Sequence, residues 1–220
     1  MHKLTLFIII LTLNSCDFTS ARTYFTEATK CEEQNNLTEA INLLDKAILK
    51  DESYIPAYIS RAVDKAMLGN YASAIEDYDI VLKKDPENTL ALLNRGKNKH
   101  RLSDYKGAVQ DFQKALDSKS FKNIERILKP NNNVDLANEC SDEEIRIERG
   151  VSLYFLGDLN RSFADIQFCI ERNFEKRIAL YWRGMIYISL NQKELGCKDL
   201  NESSSLGNKD ATHDIGRFCK

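Results

Sequence analysis

Small and large apolar residues recur along the chain at a fixed spacing. Four columns can be aligned, and successive members of each column are 34, 34, 54 and 34 residues apart. The columns are Ala28, Ala62, Gly96, Gly150 and Gly184; Ala40, Ala74, Ala108, Ser162 and Gly196; Leu44, Tyr78, Phe112, Ile166 and Leu200; and Ala47, Val81, Ala115, Cys169 and Ser203. Because small and large positions alternate on helical spacing, the pattern predicts a repeated unit of two packed helices.

Short polar segments separate the two helices predicted for each unit. The segments 69–71, 103–105 and 157–159 read Gly-Asn-Tyr, Ser-Asp-Tyr and Gly-Asp-Leu, so a turn residue and a polar residue precede a bulky apolar one. Pro86 ends the second helix of the clearest unit, because its ring cannot continue a helix. Only three Pro and nine Gly occur among the 220 residues, which favours helices over a sheet with many turns. The expected fold class is all-α.

Five copies of this unit, at 21–54, 55–88, 89–122, 143–176 and 177–210, resemble the tetratricopeptide repeat. The resemblance implies a right-handed α-solenoid of about five antiparallel helix pairs. Residues 211–220 begin a further first helix, and we expect them to form a capping helix in which Ile215 and Phe218 cover the apolar face of the final repeat.

The unequal step of 54 residues marks an insertion between the third and fourth units. Residues 123–142 include Pro130 and three consecutive Asn, and we predict an inserted loop with a short helix at 124–128 before the Pro. This segment could either contact a partner or be a surface loop without a function.

An arginine occupies the same position in four units, and an aspartate follows each one sixteen residues later. The residues are Arg61 and Asp77, Arg95 and Asp111, Arg149 and Asp165, and Arg183 and Asp199. The first unit has Glu27 and Leu43 at these two positions. Joint presence in four units and joint absence in the fifth suggest a half-buried ion pair between the two helices of a unit. The alternative for these residues is a catalytic role.

The N-terminus resembles a bacterial lipoprotein signal. Lys3 precedes a short apolar run at 4–13, and ten helical residues span only about half of a ~30 Å hydrocarbon layer. The residues Leu13, Ser15 and Cys16 resemble a lipobox, so we expect a signal peptide at 1–15, lipidation of Cys16 and a tether at 16–20. The alternatives are an ordinary cleaved signal and a short buried helix. The expected location is the bacterial cell envelope, with the inner and the outer membrane both open.

Five cysteines remain when Cys16 is set aside, so at least one of them is expected to be a free thiol. Neighbouring helices of the implied solenoid would bring Cys197 and Cys219 together, which makes them the expected disulfide pair. Cys31 and Cys169 fall in packing columns and are expected to act as small apolar residues.

Composition argues against several functional classes. Lys and Arg number 31 and Asp and Glu number 33, so no excess of basic charge favours nucleic acid. With three His in the chain and no CxxC spacing, neither a metal centre nor a Ser/His/Asp triad is predicted. No glycine-rich phosphate loop occurs either. We therefore expect no catalytic residues, no metal and no cofactor.

Ligands of tetratricopeptide solenoids lie along the face made by the first helix of each pair. The resemblance therefore implies a largely apolar, partner-binding groove. The candidate residues are Ile59, Val63, Leu93, Lys97, His100, Arg101, Ile147, Val151, Tyr154, Tyr181 and Met185. Lys97, His100 and Arg101 form a basic trio that could meet an acidic group of a peptide. The alternative is that several apolar members pack between successive first helices.

Three functions remain open at this stage. The first is a membrane-anchored adaptor that binds a protein or peptide through the groove, and the second is a permanent structural subunit of an envelope assembly complex. The third, of another class, is an enzyme with an unrecognised site. The partner is expected to present an apolar or aromatic segment.

Overall fold

The computed structural model describes residues 19–128 and 140–220, and for 120–128 it describes the backbone alone. The predicted signal peptide, Cys16 and most of the predicted insertion lie outside the described residues. The described part of the chain forms eleven α-helices. Their bounds are α1 Ala21–Glu33, α2 Leu37–Lys50, α3 Ile55–Met67, α4 Tyr71–Lys84, α5 Thr89–Arg101, α6 Tyr105–Leu128, α7 Asp142–Leu156, α8 Leu159–Glu171, α9 Lys176–Ser189, α10 Lys193–Ser205 and α11 Lys209–Phe218.

The helices stack as a solenoid of pairs, which confirms the all-α fold class. Each helix packs mainly against its neighbours in the chain, and the odd-numbered helices also contact one another in succession from α1 to α11. We call the odd-numbered helices the A helices and the even-numbered helices α2 to α10 the B helices. The A helices thus form one continuous face of the array.

The small columns let the two helices of a pair approach closely. Gly96 on α5 faces the fully buried ring of Phe112 on α6, and a Cβ atom at Gly96 would lie 2.6 Å from Cε1 of that ring. Ala62 and Tyr78 make the corresponding contact between α3 and α4, and both are buried. The apolar columns therefore form the core between the helices of each pair.

The turn inside each pair uses one residue in the left-handed region. Gly69, Ser103 and Gly157 have φ values of 82°, 63° and 79°, and Asn35 and Asn191 occupy the same place in the first and last pairs with φ of 57° and 59°. Gly and Asn adopt this conformation at low cost, whereas a Ser there is strained. The turn residues inferred from the sequence are thus the points where the chain reverses.

The structure differs from the predicted insertion at 123–142. Helix α6 continues without a break to Leu128, so residues 123–128 extend the second helix of the third pair. No Gly or Pro occurs between Gly107, in the first turn of α6, and Pro130, and nothing local therefore stops the helix earlier. At the other end, α7 begins at Asp142, where the Ser141 side chain accepts a hydrogen bond from the Glu144 backbone N–H.

Helix α11 closes the C-terminal end of the array. It begins two residues before the predicted capping segment, at Lys209, because Asn208 caps it by accepting hydrogen bonds from the Asp210 and Ala211 backbone N–H groups. A disulfide joins Cys197 on α10 to Cys219 just after α11, with a Cα–Cα distance of 5.6 Å. Among the residues that the structure describes, no helix is long and apolar enough to cross a membrane.

Candidate functional site

A cavity of about 710 Å³ opens on the A-helix face between α5, α7 and α9. It is lined by Lys97, His100, Arg101, Glu144, Ile147, Glu148, Val151, Phe174, Glu175, Ile178 and Trp182. Five of the predicted groove residues are in this lining, namely the basic trio, Ile147 and Val151. The cavity is not largely apolar as the sequence analysis expected, because charged residues and a histidine make up half of its wall. We call this cavity the A-face cavity.

The remaining predicted groove residues lie elsewhere. Leu93 is only 1% exposed and belongs to the core shared by the second and third pairs. Ile59 packs against the same core, and Val63 is exposed on α3, outside the cavity lining. Leu93 is therefore a packing residue, as the alternative interpretation proposed, and it cannot contact a ligand. Tyr154, Tyr181 and Met185 are half-buried beside the cavity rather than in its lining.

The basic trio is partly neutralised by acidic residues of α7. The ammonium of Lys97 lies 2.9 Å from Oε1 of Glu144 and 3.8 Å from Oε1 of Glu148. Burial raises the pKa of the Glu148 carboxyl, and the nearby Lys97 charge acts in the opposite direction. These three side chains are each about a third exposed, so their mutual attraction is screened by solvent.

His100 is positioned by both a hydrogen bond and ring contacts. Its Nδ1 lies 2.8 Å from the hydroxyl oxygen of the buried Ser152, whose own hydroxyl donates to the Glu148 carbonyl. Burial, followed by the charge of Arg101, lowers the pKa of His100 below its usual value. At neutral pH the imidazole is therefore uncharged, and Lys97 and Arg101 carry the positive charge of this wall.

Aromatic side chains from three repeats form a row beside the cavity, which we call the aromatic row. Tyr105 stacks on Phe155 with ring centroids 4.9 Å apart, and Phe155 contacts Tyr154 at 5.6 Å. Trp182 contacts Tyr154 at 5.3 Å and Phe155 at 5.7 Å, and Tyr181 contacts Trp182 at 5.1 Å. These edge contacts fix the indole ring of Trp182 in the cavity wall.

Five lining residues were not predicted from the sequence, namely Glu144, Glu148, Phe174, Glu175 and Trp182. Phe174 and Glu175 lie in the turn before α9, and Trp182 lies one position beyond a place that the family resemblance indicated. Trp182 is the single Trp of the chain, and large aromatic residues are enriched at binding surfaces. Its rarity was the one signal that could have identified it.

The Arg/Asp columns form bidentate ion pairs within the helix pairs. Each guanidinium donates from Nε and Nη2 to the two carboxylate oxygens of the Asp sixteen residues later, at distances between 2.5 and 3.0 Å. The Asp side chains are 3 to 6% exposed. These pairs lie between A and B helices, outside the A-face cavity lining, which favours a structural role over a catalytic one.

Each of these arginines also reaches the preceding repeat. Nη1 donates to a side-chain oxygen on the B helix of the previous pair, at 2.5 to 2.7 Å; the acceptors are Asp45, Asp79, Gln113 and Gln167. The sequence analysis missed this contact, although the acceptors form a column of their own with steps of 34, 34 and 54 residues. The arginine column therefore links successive repeats as well as the two helices of one repeat.

Two carboxyl groups on α1 and α3 lack such basic partners. Asp64 is 2% exposed and its Oδ2 has no hydrogen-bond partner among the described residues, and Oε1 of Glu32 has none either. Burial, followed by the nearby Glu32 charge, raises the pKa of Asp64 to about 7. Burial also raises the pKa of Glu32. Asp64 is thus about half protonated at neutral pH.

Helix α11 is connected to the aromatic row. The Tyr181 hydroxyl donates a hydrogen bond to Oδ2 of Asp214 at 3.0 Å, and Tyr181 contacts the Trp182 ring. The disulfide between Cys197 and Cys219 holds α11 against α10. Within the described ranges Cys31, Cys140 and Cys169 are free thiols, and no cluster of three or more His, Cys, Asp or Glu side chains could hold a metal ion.

Known proteins share this sequence pattern and this fold. Residues 59–123 match the tetratricopeptide repeat family. A comparison with curated protein sequences gave no match.

Solved structures with the same fold include MamA from Desulfovibrio magneticus RS-1, in a form that starts at its residue 41. It superposes with a TM-score of 0.69 at 15% identity, covering 84% of this chain and 94% of that chain. YrrB, described as a TPR protein with an unusual peptide-binding site, gives a TM-score of 0.68 at 21% identity, covering 89% and 92%. PilF of Pseudomonas aeruginosa gives 0.65 at 15% identity, covering 86% and 77%. At these identities the likeness shows the fold alone.

Proposed function

This chain is a tetratricopeptide-repeat protein, and from that premise we propose that it is a membrane-anchored scaffold that binds a peptide segment of another protein in the A-face cavity. The repeat fold supports a role in protein–protein interaction. The observation that carries the finer proposal is the cavity itself, which is lined by apolar and charged side chains and by an indole ring that other aromatic rings contact. Concave sites with these features are the usual binding sites of proteins.

Membrane attachment through Cys16 is the second part of the proposal. The apolar run at 4–13 and the lipobox-like residues that end at Cys16 support it. Helix α1 begins at Ala21, so the tether between lipid and repeats is about five residues and spans at most ~17 Å. The tether would therefore hold the first repeat close to the membrane surface of the cell envelope.

Site-specific crosslinking in the native envelope tests the binding role. A photo-reactive amino acid at Val151 in the cavity is expected to give an adduct with one distinct protein, and the same group at Glu76, exposed on α4, serves as the control. Identical adducts from both positions, or none from Val151, would overturn the proposed binding site.

Replacement of the lipidation site tests the anchor separately. Cys16→Ser is expected to move the protein from the membrane fraction to the soluble fraction, because loss of the acyl chains removes the hydrophobic attachment. If the variant remains with the membrane after high-salt washing, the proposed anchor is wrong, while the binding site is unaffected by that result.

A permanent structural subunit of an envelope assembly complex is a second candidate, favoured by an exposed apolar edge. Leu68, Leu102, Leu156 and Leu190 lie at the ends of successive A helices and are 47, 49, 46 and 42% exposed. A permanent partner would cover this edge. Stoichiometric co-purification from detergent-solubilised envelope would support this candidate, and a partner lost during dilution would support the reversible scaffold. No reaction is part of either proposal.

A further inference from the structure

We propose that the A-face cavity selects a peptide with one acidic and one basic residue on either side of an apolar stretch, with the acidic residue at Arg101 and the basic residue at Glu175. The inference rests on the proposed binding function and names the chemistry of the ligand.

In the cavity wall the ammonium of Lys97 is paired with the Glu144 carboxylate at 2.9 Å and lies 3.8 Å from that of Glu148. His100 shares a hydrogen bond with Ser152. In contrast, the side chains of Arg101 and Glu175 make no hydrogen bond or ion pair with any residue in the described ranges, although both line the cavity and are exposed. One positive and one negative group are therefore free to pair with a ligand.

These two groups stand at opposite ends of the cavity. Arg101 is the last residue of α5, Glu175 immediately precedes α9, and α7 lies between those helices. Adjacent packed helices are about 10 Å apart, so two steps give roughly 20 Å across the helices, and the offset between the end of α5 and the start of α9 adds roughly 20 Å along them. The two groups are therefore roughly 28 Å apart. At about 3.3 Å per residue, an extended peptide covers this distance in about nine residues.

Apolar side chains of α7 and α9 line the cavity between the two ends. They are Ile147, Val151 and Ile178, and the two carboxylates that α7 also contributes, Glu144 and Glu148, already face Lys97. A peptide charge placed against the three apolar side chains would lose its hydration without gaining a partner. We therefore expect an apolar stretch in the middle of the ligand.

Helix α9, which begins directly after Glu175, also carries an aromatic surface that suits a cation. Trp182 lines the cavity about two helical turns beyond Glu175 and contacts the rings of Tyr154, Phe155 and Tyr181. A Lys or Arg side chain over an indole face gains a cation–π attraction in addition to an ion pair. An acidic side chain would be repelled by both the Glu175 carboxylate and the negative face of the ring.

The end at Arg101 has the opposite character. A ligand carboxylate can form a bidentate pair with the Arg101 guanidinium. The neighbouring His100 adds no charge at neutral pH, because burial lowers its pKa. Recognition of the acidic residue therefore depends on Arg101. A charge reversal at this one position should reverse the preference for an acidic peptide residue.

Selection from a displayed library of random Trp-free peptides of about twelve residues, enough to span the cavity, tests the inference on the folded protein. Peptides enriched on the wild type are expected to hold an acidic and a basic residue about nine positions apart. On Arg101→Glu the acidic preference should become basic, and on Glu175→Lys the basic preference should become acidic. The matched controls are Arg22→Glu on α1 and Glu76→Lys on α4, both exposed and outside the cavity.

The enriched peptides are then measured individually. Because Trp182 is the only Trp of the chain, any change in Trp emission reports on the cavity. Each charge reversal is expected to weaken the binding of a wild-type-selected peptide about tenfold, and reversing the matching charge in the peptide should restore it.

The outcomes separate this inference from the function on which it rests. If peptides perturb Trp182 but the same sequences are enriched on all variants, the cavity binds peptides and the proposed charge selection is wrong. If no enriched peptide perturbs Trp182, the cavity is not a peptide site, and both proposals fail together.

Discussion

Two sets of charged side chains on the same A helices differ in repetition and exposure. The arginine column recurs in four repeats, and its side chains are 10 to 19% exposed. Lys97 and Arg101 each occur once, since the residues 34 positions before them are Val63 and Met67. A charge that recurs at every step joins one repeat to the next, whereas a charge that occurs once distinguishes one part of the surface. The first set stabilises the array and the second set can provide specificity.

The sharpest test of this comparison is the removal of a carboxylate from the repeated set. Asp111→Ala leaves the guanidinium of Arg95 without its bidentate partner, and we expect the free energy of unfolding to fall by about 3–5 kcal/mol. Urea unfolding of Asp111→Ala, Arg95→Ala and the double variant gives the coupling between them. Additive losses would mean that the two residues do not stabilise each other.

A smaller effect is expected at the C-terminal end, where the repeated set stops and a disulfide connects the last helices. Cys197→Ser should lower the free energy of unfolding by about 3 kcal/mol, because the crosslink no longer restricts the unfolded chain. Reduction of the wild type should lower the melting temperature, and reductant should leave Cys197→Ser unchanged. Equal melting temperatures for the oxidised wild type and the variant would contradict the stabilising role of the disulfide.

Asp64 is an interior acid that lies outside the arginine column, and its removal should stabilise the protein. Its pKa is raised from 3.8 to about 7, so the folded state binds the proton more tightly, and stability falls as pH rises from about 4 to 7. We expect Asp64→Asn to be more stable than the wild type by about 1–2 kcal/mol at pH 7.5, since the buried amide offsets part of the gain.

The pH dependence supplies the control for this substitution. The difference between Asp64→Asn and the wild type should shrink as the pH is lowered from 7 towards 4, because the wild-type carboxyl is then protonated. Urea unfolding of both proteins at four pH values in this range measures the difference in stability. A difference that stays constant with pH would show that Asp64 does not titrate in this window.

The smallest effect on stability is expected in the set that occurs once. Lys97→Met should change the free energy of unfolding by only about 0–1 kcal/mol, because Lys97 and its two partners are about a third exposed. Thermal melting beside Asp111→Ala makes the comparison direct. A loss as large as that of Asp111→Ala would remove the distinction between the two sets.

The sequence was most informative where contacts repeat. The small and large columns predicted the helix pairs, and the Arg/Asp spacing predicted side chains that the structure brings together at bidentate distances. It was least informative where local signals are weak. A helix at 124–128 was predicted, but no local signal indicated that it is continuous with the second helix of the third pair, as α6 is from Tyr105 to Leu128. The groove residues were taken from the family resemblance, which does not distinguish Leu93 in the core from Val151 in the cavity.

The sequence by itself determined the order of helices, the register of the repeats and the partners sixteen residues apart. These features depend on residue types that recur at the same positions of each repeat, so the same contacts form in every helix pair. The position of the A-face cavity and the side chains that line it are known only from the folded structure. Its contacts join Lys97 to Glu144 and His100 to Ser152, 47 and 52 residues apart, across the one step of the array that is not 34 residues. Where the spacing is irregular, the three-dimensional packing of α5, α7 and α9 decides which side chains meet.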